Sequence, residues 1–131
     1  MSHKADEDFA LETVSVIIPL FNGEAWIQET LQSVLDQTRP PDEILIVDDG
    51  STDDSIEIVK RHFPEIPVYS HEPRPHRTSR DEGFRRSTSS LVTFLDQDDI
   101  LSPTHLERLA GILENSAKLS AVAAKTLPFT G

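Results

Sequence analysis

Two clusters of aspartates are the residues of this sequence whose type and spacing could do chemistry. They are Asp48-Asp49 and Asp96-Gln97-Asp98-Asp99, and each follows a short apolar run. Two like charges about 4 Å apart repel each other by roughly 4 kcal/mol at an effective dielectric constant of about 20, so carboxylates that are close together and shielded from water need a cation. Mg²⁺ and Mn²⁺ prefer carboxylates together with phosphate oxygens. The clusters therefore predict a site for a metal-bridged diphosphate.

Aspartates that follow a strand can also simply cap turns and helices, because their side chains accept hydrogen bonds from nearby backbone N–H groups. We favour this interpretation for Asp53 and Asp54, which fall in the first turn of a predicted helix. We favour a metal site for residues 96–99, because three acids in four positions exceed what one turn requires.

The elements that must position these clusters are short apolar runs that alternate with amphipathic helical patterns. This alternation predicts an α/β fold with a mainly parallel, Rossmann-like sheet flanked by helices. The first strand is predicted to stop at Pro19, and the second and fourth strands run directly into the two clusters. Ligands of open parallel sheets bind beyond the carboxyl ends of the strands, where both clusters would lie. The predicted strands are residues 14–18, 43–47, 68–70, 91–95 and 119–124.

The predicted helices begin at recognisable signals. Asn22 is predicted to cap the first helix, and Ser51 or Thr52 the second. A third helix is predicted over residues 78–87, and Ser102-Pro103 has the cap-and-proline start of a fourth. The predicted inward faces are Ile27, Leu31, Val34 and Leu35 in the first helix, Ile56, Val59 and Phe63 in the second, and Leu106, Leu109 and Leu113 in the last.

Composition limits the classes of function. The chain has 131 residues and a formal net charge of −11, and such a surface repels nucleic acid and anionic lipid. The sequence has no cysteine and no apolar run of membrane-spanning length. We expect a cytoplasmic protein in which residues 1–12 are a flexible tail and residues 13–131 form one domain.

Four blocks, in order, resemble family 2 of the glycosyltransferases. They are VSVIIPLFNG at 14–23, SVLDQT at 33–38, EILIVDDGSTD at 43–53 and FLDQDD at 94–99, and the last resembles the D-x-D element of the family. The resemblance extends over residues 14–126 and implies the N-terminal, nucleotide-sugar-binding half of the GT-A fold. It also implies an inverting transferase, with a UDP-sugar expected as the donor and an unidentified glycan, lipid or protein as the acceptor.

The resemblance implies a nucleotide site at Pro19, Asp48, Asp49, Arg80 and Asp96. Pro19 would lie against the base. Asp49, with Asp48 beside it, would accept a hydrogen bond from the base or the ribose. Arg80 fits a role in binding phosphate, and Asp96 would face the ribose or a metal-bound water.

A divalent metal, Mg²⁺ or Mn²⁺, is also implied by the resemblance. Asp98 would hold it on the diphosphate, with Asp96 and Asp99 in support, and the metal would stabilise the departing nucleoside diphosphate as a Lewis acid. The catalytic base of the family lies downstream of this half. The chain is therefore expected to be a truncated domain, without the general base and without the acceptor-binding half.

Two segments depart from the pattern of the family. The usual Ala-Arg-Asn-x-x-Gly segment is SRDEG at 79–83, and the usual glycine-rich loop is EPRPHR at 72–77, where residues 71–76 are predicted to be loop. Five arginines lie within thirteen positions of this region, either to meet diphosphate and pair with the aspartates or to balance acids on a solvated helix face. They are Arg74, Arg77, Arg80, Arg85 and Arg86.

Three other functions stay open on the residues alone. In a signalling receiver domain, residues 44–49 would supply the acidic pair, Asp96 the phosphorylated side chain and Thr126 the later hydroxyl, but the strand–helix unit at 14–37 would be unexplained. Residues 96–98 could be the nucleophile and acid of an aspartate-dependent phosphatase, although that motif belongs on a first strand. The chain could also be an inactive binding module.

Overall fold

A computed structural model of the protein describes residues 13–70 and 78–115, with side chains as far as residue 112. Four strands form one parallel sheet in the order β3-β2-β1-β4, which confirms the predicted α/β class. The elements in chain order are β1 (Val14–Leu20), α1 (Ile27–Leu35), β2 (Glu43–Asp48), α2 (Ser55–His62), β3 (Val68–Ser70), α3 (Ser79–Arg86), β4 (Leu91–Phe94) and α4 (His105–Asn115).

The sheet is covered on both faces because successive residues of the central strand point to opposite sides. Val16 and Ile18 of β1 are fully buried in the larger core cluster, which includes residues of α1, α2 and α4. Ile17 faces the other way and packs with Leu45 and Val47 of β2. Such two-sided burial explains why β1 is apolar on both faces apart from Ser15.

The third helix lies on the second face of the sheet and depends on one glycine. A Cβ atom at Gly83 would lie 2.4 Å from Cγ2 of Ile17 and 3.3 Å from Cγ2 of Val47, so a larger residue has no room. Thr78 and Asp81 begin the helix with a reciprocal capping box, in which each side chain accepts a hydrogen bond from the other residue's backbone N–H. The first turn of α3, which carries Arg80, is thereby fixed beside the sheet.

The first strand continues through Pro19, so the prediction that Pro19 stops it is wrong. Pro19 pairs with Val47 of β2, whereas pairing with β4 ends where Ile17 lies opposite Phe94. Backbone groups of successive strand residues point to alternate neighbours, and the carbonyl of Ile17 accepts from Leu95 on the β4 side. Pro19 faces that same side, beyond the last pair with β4, so its missing N–H costs no ladder hydrogen bond.

The predictions that Asn22 caps α1 and that Ser51 or Thr52 caps α2 are wrong. The helices begin later, at Ile27 and Ser55, and the residues before them make no side-chain capping hydrogen bond. Oδ1 of Asn22 instead accepts from the N–H of Thr52 at 2.8 Å, and Oγ of Ser51 accepts from the N–H of Asn22 at 3.0 Å. These side chains satisfy donors on a neighbouring loop, a partnership that only the folded chain creates.

The other strand boundaries and both ends of α3 lie within one or two residues of the predicted ones, and α4 begins two residues after Pro103. Leu35 was predicted to face inward, but it ends α1 and is 38% exposed. Among the described residues, no helix is long and apolar enough to cross a membrane. Several predictions lie outside the described residues: the tail at 1–12, the loop at 71–76, the strand at 119–124, the hydroxyl of Thr126 and the side chain of Leu113.

Candidate functional site

A cleft opens at the carboxyl ends of the strands. The chain passes from β1 to β2 and β3 on one side and then returns to place β4 on the other side of β1. At such a reversal, the loops after the two neighbouring strands leave in opposite directions and open a crevice. The cleft here has a volume of about 340 Å³. It is lined by Pro19, Leu20, Phe21, Asp49, Ser79, Asp96, Gln97 and Asp98.

Three carboxylates of the loop after β4 come together at this cleft. One oxygen from each of Asp96, Asp98 and Asp99 lies within 4.8 Å of the others. Asp96 and Asp98 are exposed, whereas Asp99 is half-buried. Burial, followed by the negative charges of Asp96 and Asp98, raises the pKa of the Asp99 carboxyl. The three side chains therefore form a set of hard oxygen donors that fits Mg²⁺ or Mn²⁺.

Arg80 approaches this set from the first turn of α3. Its Nη2 lies 2.9 Å from Oδ1 of Asp96, and both side chains are more than half exposed, at 54% and 58%. Its guanidinium carbon is also 5.7 Å from the centre of the Phe94 ring. An ion pair this exposed contributes little to the free energy of folding, so Arg80 is held near the cleft but stays free to exchange partners.

The other described arginines of the predicted cluster make different contacts. Arg86 Nε lies 2.8 Å from Glu82, Arg85 is 3.8 Å from the same carboxylate, and the Arg86 guanidinium carbon is 4.2 Å from the centre of the Tyr69 ring. These two arginines thus balance an acid of their own helix, as one of the two interpretations predicts. Arg74 and Arg77 lie outside the described residues.

The two aspartates after β2 have different environments. Asp49 is exposed and lines the cleft, and its N–H donates to the carbonyl of Leu20 at 2.8 Å. Asp48 is buried, and its Oδ2 accepts from the N–H groups of Gly50 and Ser51, both at 3.1 Å. Within the described part of the chain, Oδ1 of Asp48 has no hydrogen-bond partner. Asp48 therefore shapes the turn that presents Asp49, and a contact of its own with a ligand stays a prediction.

The loop after β1 is joined to the loop after β2 by further hydrogen bonds. Oγ of Ser55 accepts from the N–H of Gly23 at 2.8 Å, and Oδ2 of Asp53 accepts from the N–H of Glu24 at 3.1 Å. Burial alone would raise the pKa of Asp53, but the hydrogen bonds that its carboxylate accepts from Ser55 hold the pKa below its usual value. Asp53 thus has the turn-forming role that the sequence predicts.

Gln97 lines the cleft although the sequence predicted no role for it, and the same holds for Leu20, Phe21 and Ser79. The side-chain amide of Gln97 makes two hydrogen bonds with the backbone of Phe21, which lines the same cleft. Nothing in the sequence indicates this partner, because the two residues are 76 positions apart.

Comparisons with known proteins relate the chain to one family. A model described as glycosyl transferase family 2 matches residues 15–127. The putative teichuronic acid biosynthesis glycosyltransferase TuaG of Bacillus subtilis (strain 168) is 36% identical over 113 residues, which are 82% of this chain and 44% of that protein.

Solved structures have the same fold. S. aureus TarS in complex with UDP-GlcNAc matches with a TM-score of 0.69 and 28% identity, over 79% of this chain and 31% of that one. The mannosyltransferase PcManGT from Pyrobaculum calidifontis, in complex with GDP-Man and Mn²⁺, matches with a TM-score of 0.65 and 26% identity, over 79% and 32% of the two chains. The chain spans less than half the length of each of these proteins.

The receiver alternative gains no support from the matched family. The strand–helix unit at 14–37, which that alternative leaves unexplained, contains the central strand of the sheet. It separates the two acidic strand ends that a receiver would combine.

Proposed function

The chain belongs to glycosyl transferase family 2, and on that premise we propose that it forms the donor-binding half of an inverting glycosyltransferase that uses a nucleotide-diphospho-sugar. One observation carries the proposal. The carboxylates of Asp96, Asp98 and Asp99 lie within 4.8 Å of one another, at a cleft that Pro19 and Asp49 line from the other side. A nucleoside diphosphate would need both sides of this cleft, the carboxylates for a metal on its phosphates and the side of Pro19 and Asp49 for its nucleoside.

The residues on the strand side would bind the nucleoside. Pro19 offers an apolar surface for the base, and the exposed carboxylate of Asp49 can accept a hydrogen bond from the base or the ribose. Asp48 accepts hydrogen bonds from the N–H groups of Gly50 and Ser51, which holds the turn that contains Asp49 and so orients it. We assign Asp96 to the ribose or to water beside the metal.

The loop after β4 that carries residues 96–99, the acidic loop, would hold Mg²⁺ or Mn²⁺. Asp98 would be the main ligand, with Asp96 and Asp99 in support. When bound, the metal supplies Lewis-acid stabilisation of the departing diphosphate. The complex of PcManGT with GDP-Man and Mn²⁺ supports a metal of this kind. Arg80, already 2.9 Å from Asp96, can bring its guanidinium to the phosphate oxygens.

A UDP-sugar is the donor that we favour, since TarS forms complexes with UDP and with UDP-GlcNAc. The acceptor, a glycan, a lipid or a protein, is unassigned, and so is the general base, because no residue of this chain matches it. The division into a tail at 1–12 and a truncated domain at 13–131, the cytoplasmic location and the choice between Mg²⁺ and Mn²⁺ stay predictions.

Calorimetric titration of the chain with UDP, with and without Mn²⁺, tests the proposal. Asp98→Asn should reduce the Mn²⁺-dependent affinity at least tenfold, on the order of what the loss of a metal ligand or its support costs. Glu57→Gln, on the exposed side of α2, makes the same change in charge and should leave the affinity unchanged. A folded wild-type chain that binds neither UDP nor GDP would refute the proposed function, and equal affinity with and without Mn²⁺ would refute the role of the metal.

A further inference from the structure

We propose that Gln97 is a positioning residue that holds the acidic loop at a fixed distance from the nucleoside side of the cleft. This inference rests on the proposed function, and it concerns the middle residue of the D-x-D element rather than its acids. Gln97 has no charge to offer a metal. Its side chain and its backbone instead join the loop after β4 to two separate parts of the fold.

The side-chain amide of Gln97 makes a two-point clamp on the backbone of Phe21. The N–H of Phe21 donates to Oε1 of Gln97 at 2.7 Å, and Nε2 of Gln97 donates to the carbonyl oxygen of Phe21 at 2.9 Å. Backbone pairing between β1 and β4 has ended by this point, at Ile17 and Phe94. The amide therefore continues the connection between the two strands after the ladder itself has stopped.

The backbone of Gln97 is held as well. Its carbonyl oxygen accepts a hydrogen bond from Oγ1 of Thr30 at 2.7 Å, and Thr30 is a fully buried residue of α1. Glycine at position 23 leaves space for the amide, because a Cβ there would lie 2.7 Å from Oε1 of Gln97. The φ of Gly23 is not in the left-handed region, so this space is what position 23 provides that alanine would not.

The clamp opposes the repulsion among the acids. Three carboxylates within 4.8 Å of one another tend to spread the loop that carries them, and the ion pair of Asp96 with Arg80 is exposed. Phe21 lines the cleft beside Pro19, so fixing residue 97 to residue 21 sets the span between the nucleoside side and Asp98. A nucleoside diphosphate bound to a metal has to match that span at both ends.

The test separates positioning from folding. Affinities for UDP with and without Mn²⁺ are measured calorimetrically for the wild-type chain and for Gln97→Met, which keeps the volume and removes both amide hydrogen bonds. The Mn²⁺-dependent gain in affinity should fall about tenfold, while the affinity for UDP alone changes less than twofold. Gln32→Met makes the same substitution on the exposed side of α1, where the amide donates to Asp36, and should match the wild type.

Gly23→Ala displaces the amide without altering residue 97. It should reproduce the loss of the Mn²⁺-dependent gain, and the double variant Gly23→Ala/Gln97→Ala should lose no more than Gln97→Ala alone. Gly23→Ala also carries the comparison if the variants at position 97 do not fold.

If these variants keep the Mn²⁺-dependent gain in UDP affinity of the wild-type chain, the inference is overturned and the proposed function is left intact. Equal losses with and without Mn²⁺ would also overturn it, because they indicate a general structural role. A folded wild-type chain that binds neither UDP nor GDP would overturn the proposed function and this inference together.

Discussion

Gly83→Ala is expected to destabilise the protein, although alanine is a better helix former than glycine. The added Cβ would lie 2.4 Å from Cγ2 of Ile17, and it needs at least about 3.5 Å. Either α3 or β1 must therefore move by about 1 Å. Ile17 is fully buried in β1, and χ1 of its β-branched side chain is restricted, so close-packed neighbours leave it no room to turn aside.

Gly111→Ala on α4 is the matched control, because a Cβ at position 111 would meet nothing within 4 Å. Both substitutions gain roughly 0.8–1 kcal/mol of helix propensity, so this gain cancels in their difference. Overpacking of a well-packed core costs roughly 1–3 kcal/mol. We therefore expect Gly83→Ala to have a free energy of unfolding about 2 kcal/mol lower than that of Gly111→Ala.

Urea unfolding followed by circular dichroism measures this difference. With a slope of about 1.5 kcal/mol/M for a chain of this size, the two midpoints should differ by more than about 1 M urea. Equal midpoints would refute the reasoning, since they would mean that α3 does not lie against Ile17 as closely as the structure describes.

Two further predictions concern a loop and a pH dependence. Asn22→Ala removes the acceptor for the N–H groups of Thr52 and Asp53 and puts alanine at a φ of 49°, so urea unfolding should show a free energy of unfolding lower by about 2 kcal/mol. Asn22→Gly loses the same acceptor without the backbone strain, so its free energy of unfolding should fall by about 1 kcal/mol. Equal losses in the two variants would contradict the contribution of backbone strain. Burial, and then the charge of Arg108, lowers the pKa of His105 below 6.5. The contribution of neutral His105 to the free energy of unfolding should therefore be fully present above pH 6.5 and be lost as the pH falls from there through the folded-state pKa. His105→Gln should make the urea midpoint depend less on pH between about pH 5 and about pH 7. A dependence as steep as that of the wild type would count against His105 as its cause.

Most of the fold could be predicted from the sequence, because each strand and helix depends on neighbours within a few residues. The apolar run from Val14 and the run before Asp48 predicted strands that the structure contains, and the i, i+4, i+7 spacing of Ile27, Leu31 and Val34 predicted the buried face of α1. The acids at 96–99 also had to be close to one another, since three of them share four positions. Their grouping is therefore a property of the sequence.

The errors of prediction share one physical cause. Asn22 was predicted to cap a helix because its side chain suits that position, but its oxygen bonds to a backbone 30 residues away. Pro19 was predicted to stop β1, yet the sheet places it where no hydrogen bond is lost. In both cases the local preference is genuine, and the choice among its possible partners belongs to the packed structure.

By itself the sequence determined the order of the elements, the acids at the strand ends and the resemblance to the family. Only the tertiary structure decided that β1 lies between β2 and β4, so that Asp49 and Asp98 line one cleft. It also decided that Gln97 bonds to Phe21 and that Gly83 receives Ile17. Periodicity and turn chemistry act over a few residues, whereas strand order and contacts across 76 positions arise from the burial of apolar faces against one another.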